Sequence, residues 1–410
     1  MAGDATRAAA AAVSVPLPVL PHRPPASPDG AVRAPRRRTV PVRVGPVVIG
    51  GAAPISVQTM TKTPTEDVEG TVEQIARAAD AGADLIRVTC DTREAGETLR
   101  AIVRRSRLPI VADIHYDAPL ALMAIDAGVQ CLRLNPGNIR QPEKVGEIAR
   151  RCRAAGIPIR IGVNAGSLPD RGKLARGRGE GGPAEVGARM VEAALGHIAI
   201  LEALDFRDIK VSLKASDVLT NLAANRRFAQ LENRYPLHLG LTEAGPTRSG
   251  AIKSAVGIGV LLAEGIGDTI RVSLVDEPEE EVRVARQILA TLETRPSGPN
   301  LIACPTCGRL EIDMMPMVAR VERALQGVRR SITVSVMGCV VNGPGEGMHA
   351  DIGIAGGRQK GILYRKGRVL RTLPEAELVD ALVQELERIA DEDRRLLAAG
   401  EPLPDGIPEP

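Results

Sequence analysis

The chain has 410 residues, room for two or three domains of about 150, and its 53 Lys and Arg against 50 Asp and Glu leave a formal charge of +3, too balanced for a nucleic-acid or membrane-surface protein. Three Tyr, two Phe and no Trp exclude a base-stacking surface, and no run of about eighteen apolar residues offers a spanning helix. Six Cys, three of them between positions 304 and 339, do not make a secreted disulfide framework, so the composition describes an aliphatic-cored, many-looped enzyme of a reducing cytoplasm.

In chain order, residues 1–38 are rich in Ala, Pro and Arg and end in Arg36, Arg37 and Arg38. This composition predicts a disordered extension, with only a faint likeness to a transit or signal peptide. A hairpin is expected from Val42 to Ile49. Short apolar runs then alternate with Ala-rich amphipathic stretches, and strands are predicted to begin near Ser56, Asp84, Pro109, Cys131, Pro158, Asp208, Pro236 and Asp268. Eight βα units within 39–293, most with polar residues where the strand ends, predict a closed (β/α)8 TIM barrel, with a doubly wound open sheet as the competing arrangement. A helix over 279–292 leads to a Pro/Gly/Asn linker. The remainder, 300–400, reads as a smaller α+β module: helix 313–325, strand 331–337, a Cys/Gly-rich loop, strand 351–355, hairpin 361–370 and helix 374–399. Residues 401–410 are expected to fray.

Three constellations bear on chemistry. Arg87 in LIRV, Arg133 in LRL, Arg160 in IRI and Arg271 in IRV each interrupt an aliphatic run. Strand neighbours point to opposite faces, so aliphatic flanks on the outer helices imply guanidinium groups inside the barrel. A buried guanidinium is costly without an anion, and Arg matches phosphate in a bidentate way; internal salt bridges with Asp113 or Glu243 are the alternative. Lys214, Asn135 and Asn164 add donors at strand ends. Asp113 and Glu243 are candidate acid–base groups or orienters of Arg, orientation being the better fit for Asp113, and a lone His115 reads as structural. The third constellation is Cys304-Pro-Thr-Cys307 with Cys339 and Glu346 in MGCVVNGPGEG. A structural zinc completed by His349, a redox disulfide, and an iron–sulfur cluster with three thiolates and an exchangeable oxygen ligand all use such a set. Cys90, Cys131 and Cys152 read as buried small residues.

The strings SVQTMTKTPT, VADIHYDAPLAL, CLRLNPGNI, IRIGVNAGSL, PLHLGLTEAGP, EGIGDTIRVSL, CPTCGR and MGCVVNGPGE occur in order. With them the sequence resembles the bacterial 4-hydroxy-3-methylbut-2-enyl diphosphate synthase family from about Thr39 to the final helix. The resemblance implies a TIM barrel that binds substrate, followed by a reductase-like (sulfite/nitrite reductase-like) α+β domain holding a 4Fe-4S cluster. It implies reductive ring opening of 2-C-methyl-D-erythritol 2,4-cyclodiphosphate with electrons from flavodoxin or ferredoxin. The matching positions are Cys304, Cys307, Cys339 and Glu346 for the cluster. Arg87, Arg133, Asn135, Arg160, Asn164, Lys214, Arg271, Ser273 and Asn342 match substrate contacts, and Glu243 or Glu346 the proton-handling carboxylate. It further implies a homodimer in which one subunit's cluster domain caps its mate's barrel, with no nucleic-acid or membrane partner. The 1–38 extension and the Gly/Arg-rich stretch Arg171 to Gly182 depart from the family pattern. A Schiff-base aldolase using Lys214 remains the alternative on the same barrel.

Overall fold

The computed structural model describes residues 34–114, 117–134, 142–168, 182–295, 298–307, 313–338, 349–357, 359–404 and 406–407. Strands β1 (Val42–Val44) and β2 (Val47–Ile49) pair as the expected antiparallel hairpin, turning at Gly45 with φ 57°. Val44 and Ile49 are fully buried against Leu85, Val111 and Cys131, so the hairpin plugs one end of the eight-stranded sheet.

Strand and helix then alternate. The elements are β3 (Ser56–Met60), α1 (Val68–Asp80), β4 (Leu85–Thr89), α2 (Arg93–Arg105), β5 (Ile110–Ile114), α3 (Ala118–Ala127), β6 (Cys131–Leu134), α4 (Pro142–Ala155), β7 (Ile159–Asn164), α5 (Pro183–Ala203), β8 (Ile209–Lys214), α6 (Val218–Leu231), β9 (His238–Leu239), α7 (Thr247–Ala263), β10 (Thr269–Ile270) and α8 (Pro278–Thr291). All the β3–β10 pairings are parallel; β3 pairs with both β4 and β10, and a bridge from Val211 on β8 to Leu237 closes the ring. The predicted barrel is therefore present, and an open sheet, which would have two edges, is excluded. Helix starts follow local chemistry: Asp67, Thr92 and Asp217 each accept the backbone N–H three residues on, a capping bond typically worth about 1 kcal/mol.

Alternation sorts each strand's side chains. Ile86, Val88, Ile110, Ala112, Leu132, Leu134, Ile159, Ile161, Ile209, Val211 and Leu213 face the helices in one large core, and each fully buried aliphatic contributes about 1.5–3 kcal/mol. Their strand neighbours point inward.

The predicted extension is shorter at its C-terminal end than composition indicates. Residues 34–38 lie along the barrel, with Ala34 N–H donating to Ala263 O and Arg37 N–H to Gly265 O; the Arg37 guanidinium donates to Tyr235 O at 2.7 Å. Arginine is compatible with disorder in composition, but here it finishes carbonyls that the barrel loops leave open.

The second module is a five-stranded sheet of β11 (Asn300–Ala303), β12 (Thr333–Met337), β13 (Ile352–Gly356), β14 (Lys360–Arg365) and β15 (Arg368–Pro374), paired in that order. The first three are mutually parallel and the last two antiparallel. Helices α9 (Met314–Leu325) and α10 (Glu375–Ala398) pack with Val334, Val336, Ile352, Ile354 and Leu363. The α+β expectation holds, but β11, which begins where the expected linker of 295–300 ends, was not expected: NLIA is too short beside Pro and Gly to show a period, and pairing with β12 makes it a strand.

Candidate active site

Inward positions of the barrel strands are polar toward the C-terminal end. Asp113, Arg133, Arg160 and Lys210 are successive register partners across β5, β6, β7 and β8, one continuous row. Asn164 pairs with Lys214 at the ends of β7 and β8, and Arg87 pairs with Met60. Asp113 accepts from Arg133 at 2.8 Å and lies 3.5 Å from Arg87, so it orients two guanidinium groups. Arg87 also directs Nε and Nη2 at the Met60 sulfur. Arg271, past β10, lies 3.3 Å from Glu281, a buried carboxylate of α8 that also accepts from Thr59 Oγ1 at 2.7 Å and from the Leu274 N–H at 3.0 Å.

The charges do not balance. Six cationic side chains face the interior (Arg87, Arg133, Arg160, Lys210, Lys214, Arg271), and the carboxylates that meet them among the described residues are Asp113 and Glu281. Arg133 is 4% exposed, Arg160 1%, Lys210 0% and Lys214 5%. Arg133 Nε, Arg160 Nε and Nη1 and Lys210 Nζ have no hydrogen-bond partner among the described residues, where buried polar groups ordinarily have one. Burial drives the Lys214 ammonium far below its usual pKa, and the neighbouring Arg271, Arg160, Arg87 and Arg133 drive it further. Arg87 is lowered by burial against the opposing pull of Asp113, and burial brings Arg160 down to about 10. Such a cluster is stabilised by a multivalent anion, which neutralises and hydrogen-bonds it together.

Two glycines make the room. A Cβ at Gly162 would strike the Arg133 guanidinium, and one at Gly240 would strike Lys214 Nζ and the Arg271 carbonyl. At the rim, exposed Glu243 holds φ 52°, the left-handed region that non-glycine residues seldom adopt. Asn164, the last residue of β7, and Ser273, in the segment after β10, are half-buried. Asn135, Asn342, Cys339, Glu346 and His115 lie outside the described residues.

Sequence reasoning missed Lys210, His238 and Glu281. Lys210 carried a signal, since it shares strand parity with Lys214. His238 shares parity with Gly240 but resembles any core histidine, and Glu281 reaches the site only because α8 returns alongside β3 and β10.

In the second module, Cys304 follows β11 and its N–H donates to Val336 O at 3.0 Å. It packs with Met337, Ala355 and Tyr364 and also touches the core that the helices share with the sheet. Cys304 is half-buried and Cys307 exposed, so both thiols stand at the C-terminal end of a parallel strand pair. Strand β12 ends at Met337, two residues before Cys339. Soft, accessible thiols at CxxC spacing fit an iron–sulfur group or zinc. Among the described residues no three His, Cys, Asp or Glu gather as a metal site, so His349 does not complete one there.

Residues 39–286 match the GcpE TIM-barrel domain and residues 300–388 the GcpE protein C-terminal domain. The chain belongs to the GcpE family. It is 50% identical over 361 residues to the 4-hydroxy-3-methylbut-2-en-1-yl diphosphate synthase (flavodoxin) of Magnetococcus marinus, covering 88% of this chain and 95% of that protein. The enzyme of the same name from Geobacter sulfurreducens is 50% identical over 357 residues, 87% of this chain and 99% of that one. The one from Salinispora arenicola is 46% identical over 397 residues, 97% of this chain and 96% of that one. That GcpE relative is matched into the N-terminal extension, which therefore has a counterpart. Among solved structures, Yersinia pestis dihydropteroate synthase is 15% identical with a TM-score of 0.45, covering 62% of this chain and 99% of that one; at that distance it bears on neither substrate nor chemistry. No helix among the described residues is long and apolar enough to cross a membrane.

Proposed function

We propose that this chain is a 4-hydroxy-3-methylbut-2-en-1-yl diphosphate synthase that opens 2-C-methyl-D-erythritol 2,4-cyclodiphosphate to (E)-4-hydroxy-3-methylbut-2-enyl diphosphate. Two electrons and a proton enter, a C–O bond to phosphate breaks, and water leaves. The observation that carries the reading is the surplus of buried cations over carboxylates in the barrel, together with membership of a family whose relatives bear this name.

The row of Arg133 and Arg160, with Arg87, Lys214 and Arg271 around it, grips the diphosphate, while Asn135, Asn164, Ser273 and Asn342 bind the remaining oxygens. Charge that develops on the leaving phosphate oxygen is thus met by donors already in place, the arrangement that lowers a barrier most. Asp113 and Glu281 keep the guanidinium planes aimed. Glu243, exposed at the rim, or Glu346 delivers the proton that lets hydroxide depart as water. Cys304, Cys307, Cys339 and Glu346 would hold a 4Fe-4S group, which when bound supplies the two electrons singly from flavodoxin, the donor that the relatives' names carry. The cytoplasm supplies the reducing conditions, and in a homodimer the C-terminal module of one copy covers the barrel of the other.

The test is anaerobic preparation with iron and sulfide analysis beside turnover with a reduced donor. Cys304→Ala is expected to lose iron and turnover together. Lys214→Ala is expected to keep its iron and lose turnover by about 100-fold or more. Full turnover in either variant sinks the proposal. A Schiff base at Lys214 is the second reading, favoured by its lowered pKa; borohydride trapping of a carbonyl substrate on Lys214 would select it, and it leaves the cysteines without a task.

A further inference from the structure

Beneath the clamp lies a second group of buried polar side chains that substrate contacts do not explain. Lys210 is four residues before Lys214 on β8, about 13 Å deeper by strand rise, and is the register partner of Arg160. Lys210 Nζ, both ring nitrogens of His238, both amide atoms of Gln58, Ser56 Oγ and Thr269 Oγ1 are buried and without hydrogen-bond partners among the described residues. The groups that face Lys210 are Cys131 on β6, Arg160 on β7 and His238 on β9. The Cys131 thiol lies beside Nζ and is the neighbour that favours its charged form. No carboxylate meets Lys210 among the described residues, the nearest in its register row being Asp113, already engaged by Arg133 and Arg87.

We infer that Lys210 is a positioning residue of the anion clamp, a reserve cation beside Arg160 that takes a proton from solvent when a phosphate group settles on Arg160 and its neighbours. The inference rests on the anion-binding reading above. Without a ligand, Lys210 and Arg160 are adjacent buried cations, and above about pH 8 Lys210 relieves the repulsion by shedding its proton. Burial and Arg160 bring it to about 8, within the range where a nearby anion decides its state. The arriving charge acts across a poorly screening interior, so it raises the proton affinity of Lys210, and by reciprocity a charged Lys210 tightens the anion. His238, lowered by burial and by Lys214, Arg160 and Lys210, stays neutral and keeps an acceptor nitrogen for the ammonium. Cys131 and the hairpin plug close the floor, so the counter-charge arrives from the open end.

Sulfate is the suitable probe because it is tetrahedral, divalent and carries no titrating proton near pH 8. Its affinity for the full-length protein is measured calorimetrically from pH 6.5 to 9.5 in buffers of different ionisation enthalpy. In the wild type, proton uptake near pH 8 to 9 is expected to exceed that of Lys210→Met, the remainder belonging to Lys214, with affinity falling by up to tenfold per pH unit above about 8. Lys210→Met should bind about tenfold more weakly at pH 7, lose the Lys210 share of the uptake near pH 8, and approach the wild type as pH rises toward 10. A purely structural lysine would shift affinity equally at every pH. Superimposable pH profiles for the two proteins overturn the inference, as does absence of uptake in the wild type, which needs no variant to fold. Failure of the wild type to bind sulfate or inorganic pyrophosphate at any pH overturns the clamp itself.

Discussion

Gly162 and Gly240 sit inward on the barrel wall, and each is small for a different reason. What a Cβ would meet at Gly162 is the side-chain guanidinium of Arg133, whereas at Gly240 it is the Arg271 carbonyl as well as Lys214 Nζ. Gly162→Ala is expected to leave thermal stability within about 1 kcal/mol of wild type while displacing the guanidinium and weakening sulfate or substrate binding by tenfold or more. Gly240→Ala forces backbone to move and should cost about 1–3 kcal/mol by denaturant unfolding, besides any loss of binding. Equal stability losses in the two variants would refute the distinction. Buried lysines obey the same logic of space and charge: an ammonium without a counter-charge holds its proton less tightly, and burial is the main cause for both, with Arg160 adding to it at Lys210 against the pull of Cys131 and four arginines adding to it at Lys214.

Among the elements, the hairpin β1–β2 has a role out of proportion to its size. Its residues Val44 and Ile49 meet Leu85, Val111 and Cys131, the apolar inward positions of β4, β5 and β6, and so exclude water from the floor under Lys210 and Arg160. Ile49→Ala removes a fully buried side chain and is expected to cost about 2–5 kcal/mol. Water admitted to the floor should also raise the pKa of Lys210 toward the ordinary value, since burial is the main cause of its depression. Urea unfolding gives the first number and the pH profile of sulfate binding the second. An Ile49→Ala protein as stable as wild type would show that the hairpin is ornamental. The segment at 34–38 supports the same end, its Arg37 donating to carbonyls near β9.

At the level of the whole molecule, the barrel and the C-terminal module have separate cores, and each carries its own buried ion pair. In the second module Asp393 accepts from Arg330 Nε at 2.6 Å and from the backbone N–H groups of Arg329 and Arg330, with both side chains almost fully buried. Removing one partner of such a pair strands the other charge, at a cost of about 3–5 kcal/mol. Asp393→Ala is therefore expected to unfold the C-terminal module at a lower temperature while the barrel melts where it did, seen as two calorimetric transitions and retained sulfate binding. A single shifted transition would show that the two modules unfold as one.

Much of this architecture is legible in the sequence. The βα alternation, the eight strand starts, the hairpin at 42–49 and the helices at 278–291, 314–325 and 375–398 all fall within a few residues of expectation, because period and capping are local properties. Arg87, Arg133, Arg160 and Arg271 are readable as inward groups for the same reason: an arginine between aliphatics in a strand can face only one way. What the sequence could not decide is which inward groups meet. That Asp113 serves both Arg133 and Arg87, that Glu281 returns from α8 to Arg271, that Gly162 and Gly240 yield space to side chains on other strands, and that NLIA becomes a strand are facts of ring closure and register. Sequence determined the faces of each element, since side-chain direction follows from the chain's own period; tertiary structure decided the charge balance of the interior, since burial and the neighbours of a charge are set by residues far away along the chain.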